Sequence, residues 1–137
     1  MDKALAYGFG KTVSMPYEDA VTRTKEALAT EGFGVLSEIN VRETLKKKLD
    51  VDFRPYVILG ACNPPLAHQA LTSELDIGLL LPCNVVVYAG EGKDTSVVAI
   101  MDPEAALELT GNERIRPLAH EVKERLERVL AKIDDQG

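Results

Sequence analysis

Residues 56–88, YVILGACNPPLAHQALTSELDIGLLLPCNVVVY, leave this chain few ways to fold. Residues 56–62 are apolar, partly β-branched and too short for a typical core helix, which predicts a buried strand. Asn63-Pro64 follows with helix-start chemistry. The Asn side chain can accept from the first free N–H groups, and the Pro needs no donor. Leu66, Ala67, Ala70, Leu71 and Leu75 then lay an apolar stripe along a short helix. Past Ile77 and Pro82, Val85-Val86-Val87-Tyr88 predicts another buried strand. The rest of the chain reads as cover for this strand–helix–strand unit.

Upstream, Leu5, Tyr7, Phe9 and Val13 alternate with small or polar residues and predict one strand. Pro16 opens a helix with Glu18 and Asp19 near its positive dipole end. Its inward stripe is Tyr17, Ala20, Val21, Thr24, Ala27 and Leu28, and Gly32 is a natural stop. After a second strand, Asn40 and Glu43 stand at capping-box spacing and start a helix through Leu49. Val41, Leu45 and Leu49 lie on one side of it, with Lys46, Lys47 and Lys48 on the other. Downstream, a flexible turn at 89–94 joins two β-rich runs into a hairpin. Asp102-Pro103 repeats the helix-start signature, and Gly111-Asn112 ends that helix. The last helix carries Ile115, Leu118, Val122, Leu126, Val129 and Ile133 inward, with Glu121/Arg125 and Glu124/Arg128 as outer pairs. Together these signals predict one α+β domain over 1–137. Its strands near 4–13, 33–39, 55–62, 83–88 and 95–101 form a single sheet covered by helices.

Charge and composition remove several function classes. At 137 residues the chain can bury a core without disulfides or metals, and a net charge of −6 gives no general attraction to nucleic acid or anionic membrane. The cluster of Lys46, Lys47 and Lys48 with Arg42 and Arg54 is a local exception, read as the wet face of a helix. No apolar run is long enough to span a membrane, because Gly78, Pro82 and Asn84 interrupt the best one. The start, MDKALAYGFG, lacks a secretory pattern, and two cysteines without one predict a soluble protein in a reducing, cytoplasmic setting. Gly10-Lys11-Thr12 resembles the tail of a phosphate loop, but Leu5 stands where that motif needs Gly. Gly8-Phe9-Gly10 and Gly32-Phe33-Gly34 lack the third glycine of a dinucleotide fingerprint. His68 and His120 face away from their apolar stripes and read as surface residues; with two His and two Cys, none in ligand spacing, no metal site and no cofactor are expected.

The segment GFGVLSEINVRETLKKKLDVDFRPYVILGACNPPLAHQAL, followed by IGLLLPCNVVV and MDPEAAL, resembles the bacterial and archaeal domain-of-unknown-function family 302. That resemblance implies a two-layer α+β domain with an open, largely antiparallel sheet, helices packed on one face, and often a homodimer. It implies no activity. The motif positions it carries here are Glu38, Tyr56, Cys62, Asn63, Pro64, Pro82, Cys83 and Asn84.

Cys62 is the first candidate for chemistry. Directly before Asn63-Pro64, its sulfur would lie near a helix N-terminus, which favours thiolate. Burial beneath that helix would act the other way, and free Cys is among the most buried residue types. Cys83, at the start of a strand, has the stronger packing role. Whether the two thiols meet depends on the strand connection: a parallel crossover separates them, and a non-crossover path can bring them together. Asn63 and Asn84 read as capping and bend residues, or, with Glu38, as polar groups lining one ligand cleft. Three functions follow. The leading one is a soluble homodimeric module binding a small molecule at the two Cys-Asn corners. The second is a thiol-dependent enzyme or sulfur or redox carrier using Cys62, with or without Cys83. The third is a structural or partner-binding module.

Overall fold

In the computed structural model, which describes residues 3–133, the strands are β1 (Lys3–Leu5), β2 (Gly8–Val13), β3 (Gly34–Asn40), β4 (Tyr56–Cys62), β5 (Cys83–Ala89) and β6 (Ser96–Met101). The helices are α1 (Tyr17–Thr30), α2 (Val41–Leu49), α3 (Pro64–Ser73), α4 (Pro103–Leu107) and α5 (Arg116–Lys132), with 3₁₀ turns at Leu75–Leu80 and Glu108–Thr110. All six strands join one antiparallel sheet in the order β1-β2-β6-β5-β4-β3, which makes the chain an α+β fold.

The sheet has a covered and an open face because side chains alternate along each strand. Val57, Leu59 and Ala61 pair with Val87, Val85 and Cys83, and Val85 and Val87 pair onward with Ile100 and Val98. These side chains are buried under α1 and α5, which add Ala20, Leu28, Leu126, Val129 and Leu130 to the same core. The intervening Tyr56, Ile58, Val86, Tyr88 and Ala99 point the other way and stay half-buried, with Asn84 exposed among them. A smaller apolar cluster of Ala70, Ile77, Leu107, Ile115 and Ala119 lies where α3, the Leu75–Leu80 turn and α4 meet the start of α5.

The helix starts follow the local chemistry. Asn40 accepts from the Glu43 N–H, Asn63 from the Leu66 N–H, and Asp102 from the N–H groups of Glu104 and Ala105. Gly111 closes its turn in the left-handed conformation at φ 62°, which favours glycine.

Several expectations need correction. The strand expected over 4–13 is two, because Ala6 and Tyr7 turn the chain so that β1 folds back on β2 with Leu5 opposite Gly8. Val41 and Leu45 make the half-covered side of α2, as their spacing predicts, while Leu49 at its end is 65% exposed and no α2 residue is fully buried. Leu75 leaves the α3 stripe because the helix ends at Ser73, and it is 83% exposed. On α5, Glu121 and Arg125 pair at 2.9 Å, whereas Arg128 reaches Glu31 at the end of α1 instead of Glu124. Burial on α5 also runs through Ala119 and Leu130, leaving Leu118 and Val122 half-covered.

Candidate functional site

The antiparallel pairing of β4 with β5 settles the relation of the two thiols. Ala61 stands opposite Cys83, so Cys62 is one residue from the cross-strand partner of Cys83. Both residues line a cavity of about 290 Å³ at this end of the sheet. Phe33 and Ala61 form its sheet side, Leu66 and Ala70 come from α3, and Leu118 and Val122 from α5. The cavity therefore lies where the main core and the smaller cluster meet. None of the described residues that line it carries a charge.

Electrostatics here follow from burial. Cys83 is buried and Cys62 half-buried, and both are free thiols. Desolvation raises the Cys62 pKa above its ordinary value, against the expected pull of the α3 N-terminus. For Cys83 burial is the larger cause and the charge of a Cys62 thiolate a second one, and together they push it up to about 11. Near neutral pH both sulfurs are protonated, and they present the cavity with two small, polarizable apolar groups.

Asn63 is only 7% exposed, and both ends of its amide are occupied. Its Oδ1 accepts from the Leu66 N–H at 3.3 Å, and its Nδ2 donates to the Glu31 carbonyl at 3.4 Å. This side chain lines the cavity while being spent on the fold. The other polar candidates lie elsewhere. Asn84 stands opposite Gly60 on the exposed side of β5, and Glu38 lies on the edge strand β3 in an ion pair with Lys25 at 2.7 Å. The single polar cleft expected from Cys62, Cys83, Asn63, Asn84 and Glu38 is not formed. The structure unites the first three around an apolar space. Sequence reasoning passed over Leu66, Ala70, Leu118 and Val122 as lining residues, since their spacing signals only helix packing.

Both histidines are exposed, His68 on α3 and His120 on α5. His120 Nδ1 lies 3.0 Å from Glu104, and its pKa is raised by that hydrogen bond first and by the charge of Glu124 second. Among the described residues no group of three or more His, Cys, Asp or Glu is placed to hold a metal ion, and no helix is long and apolar enough to cross a membrane.

Comparison with known proteins agrees with this architecture. The family described as Domain of unknown function DUF302 matches over residues 9–133. A crystal structure of an uncharacterized conserved DUF302 protein from Bacillus stearothermophilus superposes with a TM-score of 0.85 at 32% identity, covering 93% of this chain and 98% of that one. No curated protein matches the chain.

Proposed function

The chain belongs to the DUF302 family, and on that premise we propose that it is a small-molecule-binding module whose ligand is apolar and sits beside Cys62 and Cys83. One observation supports this reading: a cavity of about 290 Å³ lined by aliphatic side chains, Phe33 and two protonated thiols, without a charged group. Small-molecule sites are typically concave and mostly apolar, from about 300 Å³ upward. Polar specificity at the Cys-Asn corners has little support, because Asn63 is committed to the α3 cap and Asn84 lies on the open sheet face.

Thiol catalysis is the weaker reading, since burial raises both thiols away from the nucleophilic form. A purely structural role leaves the cavity without a purpose. Two free thiols suit a reducing cytoplasm. The homodimer belongs to the proposal as well. β3 is an edge strand with exposed Leu36 and Ile39, and antiparallel pairing with the same strand of a second copy would satisfy its free backbone groups. Sedimentation giving a dimer mass for the native chain and a monomer mass for Ile39→Lys supports this; a monomeric native chain sinks it.

Indole, neutral and flat, serves as the probe for the cavity. Titration calorimetry should give saturable binding to the native protein and its loss in Ala67→Phe, where the new ring enters the cavity. Ligand-observed NMR that detects equal binding to both proteins would overturn the reading.

A further inference from the structure

The open face of the sheet carries a second concavity, of about 760 Å³, whose makeup differs from that of the thiol cavity. Its floor is low because Gly8 and Ala99 bring little or no side chain to the centre of the sheet. The glycine is required by strand pairing: a Cβ on Gly8 would stand 2.8 Å from the Ile100 carbonyl oxygen. Tyr56 and Tyr88 rise beside this floor as a stacked pair, with ring centroids 5.1 Å apart and planes within 6°. Lys3 is the one charged side chain among the described residues lining the concavity, in a chain of net charge −6. It has no ion-pair partner among the described residues, and the exposed Asn84 amide, three strands away on β5, likewise lacks a hydrogen-bond partner there.

We propose that this concavity is a separate ligand site for a small planar aromatic molecule bearing one carboxylate. The flat tyrosine pair and the bare floor suit a ring system, since aromatic side chains hold rings by offset or edge contacts as well as by area. The Lys3 ammonium, without an ion-pair partner among the described residues, meets the carboxylate. Charge selection within the lining rests on Lys3, since Arg54, 6.0 Å over the Tyr88 ring, is engaged with Glu91. The site is independent of the thiol cavity, which opens at the far end of β4 and lacks charge.

The probes are 1-naphthoate and its neutral counterpart 1-naphthalenemethanol, titrated into the full chain by calorimetry at low salt. The expected result is saturable naphthoate binding about fivefold or more tighter than the alcohol, the scale of one exposed ion pair. Lys3→Gln, a surface change that leaves packing intact, should remove the preference, while Lys93→Gln should not. Val86→Trp, which fills the concavity, should weaken both probes. Ala67→Phe, which fills the thiol cavity, should leave naphthoate binding unchanged. Absence of saturable naphthoate binding overturns the proposal, as does a preference that survives Lys3→Gln. Loss of naphthoate binding in Ala67→Phe would also overturn it, by moving the ligand to the other cavity.

Discussion

Thr24 lies wholly inside the face of α1 that meets the sheet, and its Oγ1 has no hydrogen-bond partner among the described residues. A buried unpaired hydroxyl costs about 1–3 kcal/mol, while valine keeps the same branched shape without it. Thr24→Val should therefore raise stability by about 1 kcal/mol, read from the denaturant midpoint at unchanged slope. A lower midpoint would mean that the hydroxyl is satisfied. At Cys62 the opposing forces named by the sequence are resolved toward burial. In a Cys83→Ser variant, alkylation of Cys62 should lag the unfolded chain at pH 7 and rise only above the ordinary thiol range. In the reciprocal Cys62→Ser variant, Cys83 should stay nearly silent below about pH 11, less whatever shift the lost Cys62 charge supplied. Faster reaction of native Cys62 than of its unfolded control would instead put thiol chemistry ahead of the binding reading.

Elements bounded by side chain-to-backbone chemistry were legible in the sequence. Asn40, Asn63 and Asp102 each act within three residues of themselves, so a reader of the chain alone can place α2, α3 and α4. β4 was equally plain, because a strand buried on one face and half-buried on the other shows little helical period. The β1–β2 turn was hidden because Ala6-Tyr7 is no turn signature; it follows from the pairing of Leu5 with Gly8, a tertiary fact. The meeting of Cys62 and Cys83 was open for the same reason, since it depends on the register between β4 and β5. Glu31 shows how such long-range contacts decide element docking. Its carboxylate, mostly covered, meets Arg128 at 3.0 Å and Lys132 at 2.8 Å, while its carbonyl accepts from Arg125 and Asn63. The hydrogen bond from Arg128 first, and that from Lys132 second, lower its pKa from 4.5 to about 2. A depressed acid contributes stability that is present above its unfolded value and lost as pH falls through the folded one. Stability should thus decline between pH 4.5 and about 2 partly through this group, and Glu31→Gln should flatten that limb of the acid titration. An unchanged limb would assign the acid response to other carboxylates.

At the scale of the whole molecule, the two apolar clusters should differ in how they open. The larger one is closed by a sheet on one side and two helices on the other, with Leu28, Leu59, Val85 and Leu126 fully covered. The smaller one rests on short elements: a 10-residue α3, a 6-residue 3₁₀ turn and a 5-residue α4, packed on Ala119 of α5 and on Ile115 just before it. Short elements with few buried apolar contacts open locally at lower free energy than a sheet core. Ile77→Ala, removing a fully buried side chain from the smaller cluster, should cost about 2–5 kcal/mol against local opening if the site does not collapse. Amide exchange at Ala70 and Leu81 should then accelerate, with the Val85 and Val87 amides of the sheet much less affected. Leu126→Ala should instead accelerate exchange in both regions together, because it weakens the core that global unfolding must break. Were Ile77→Ala to raise exchange equally in α3 and in β5, the clusters would form one cooperative unit.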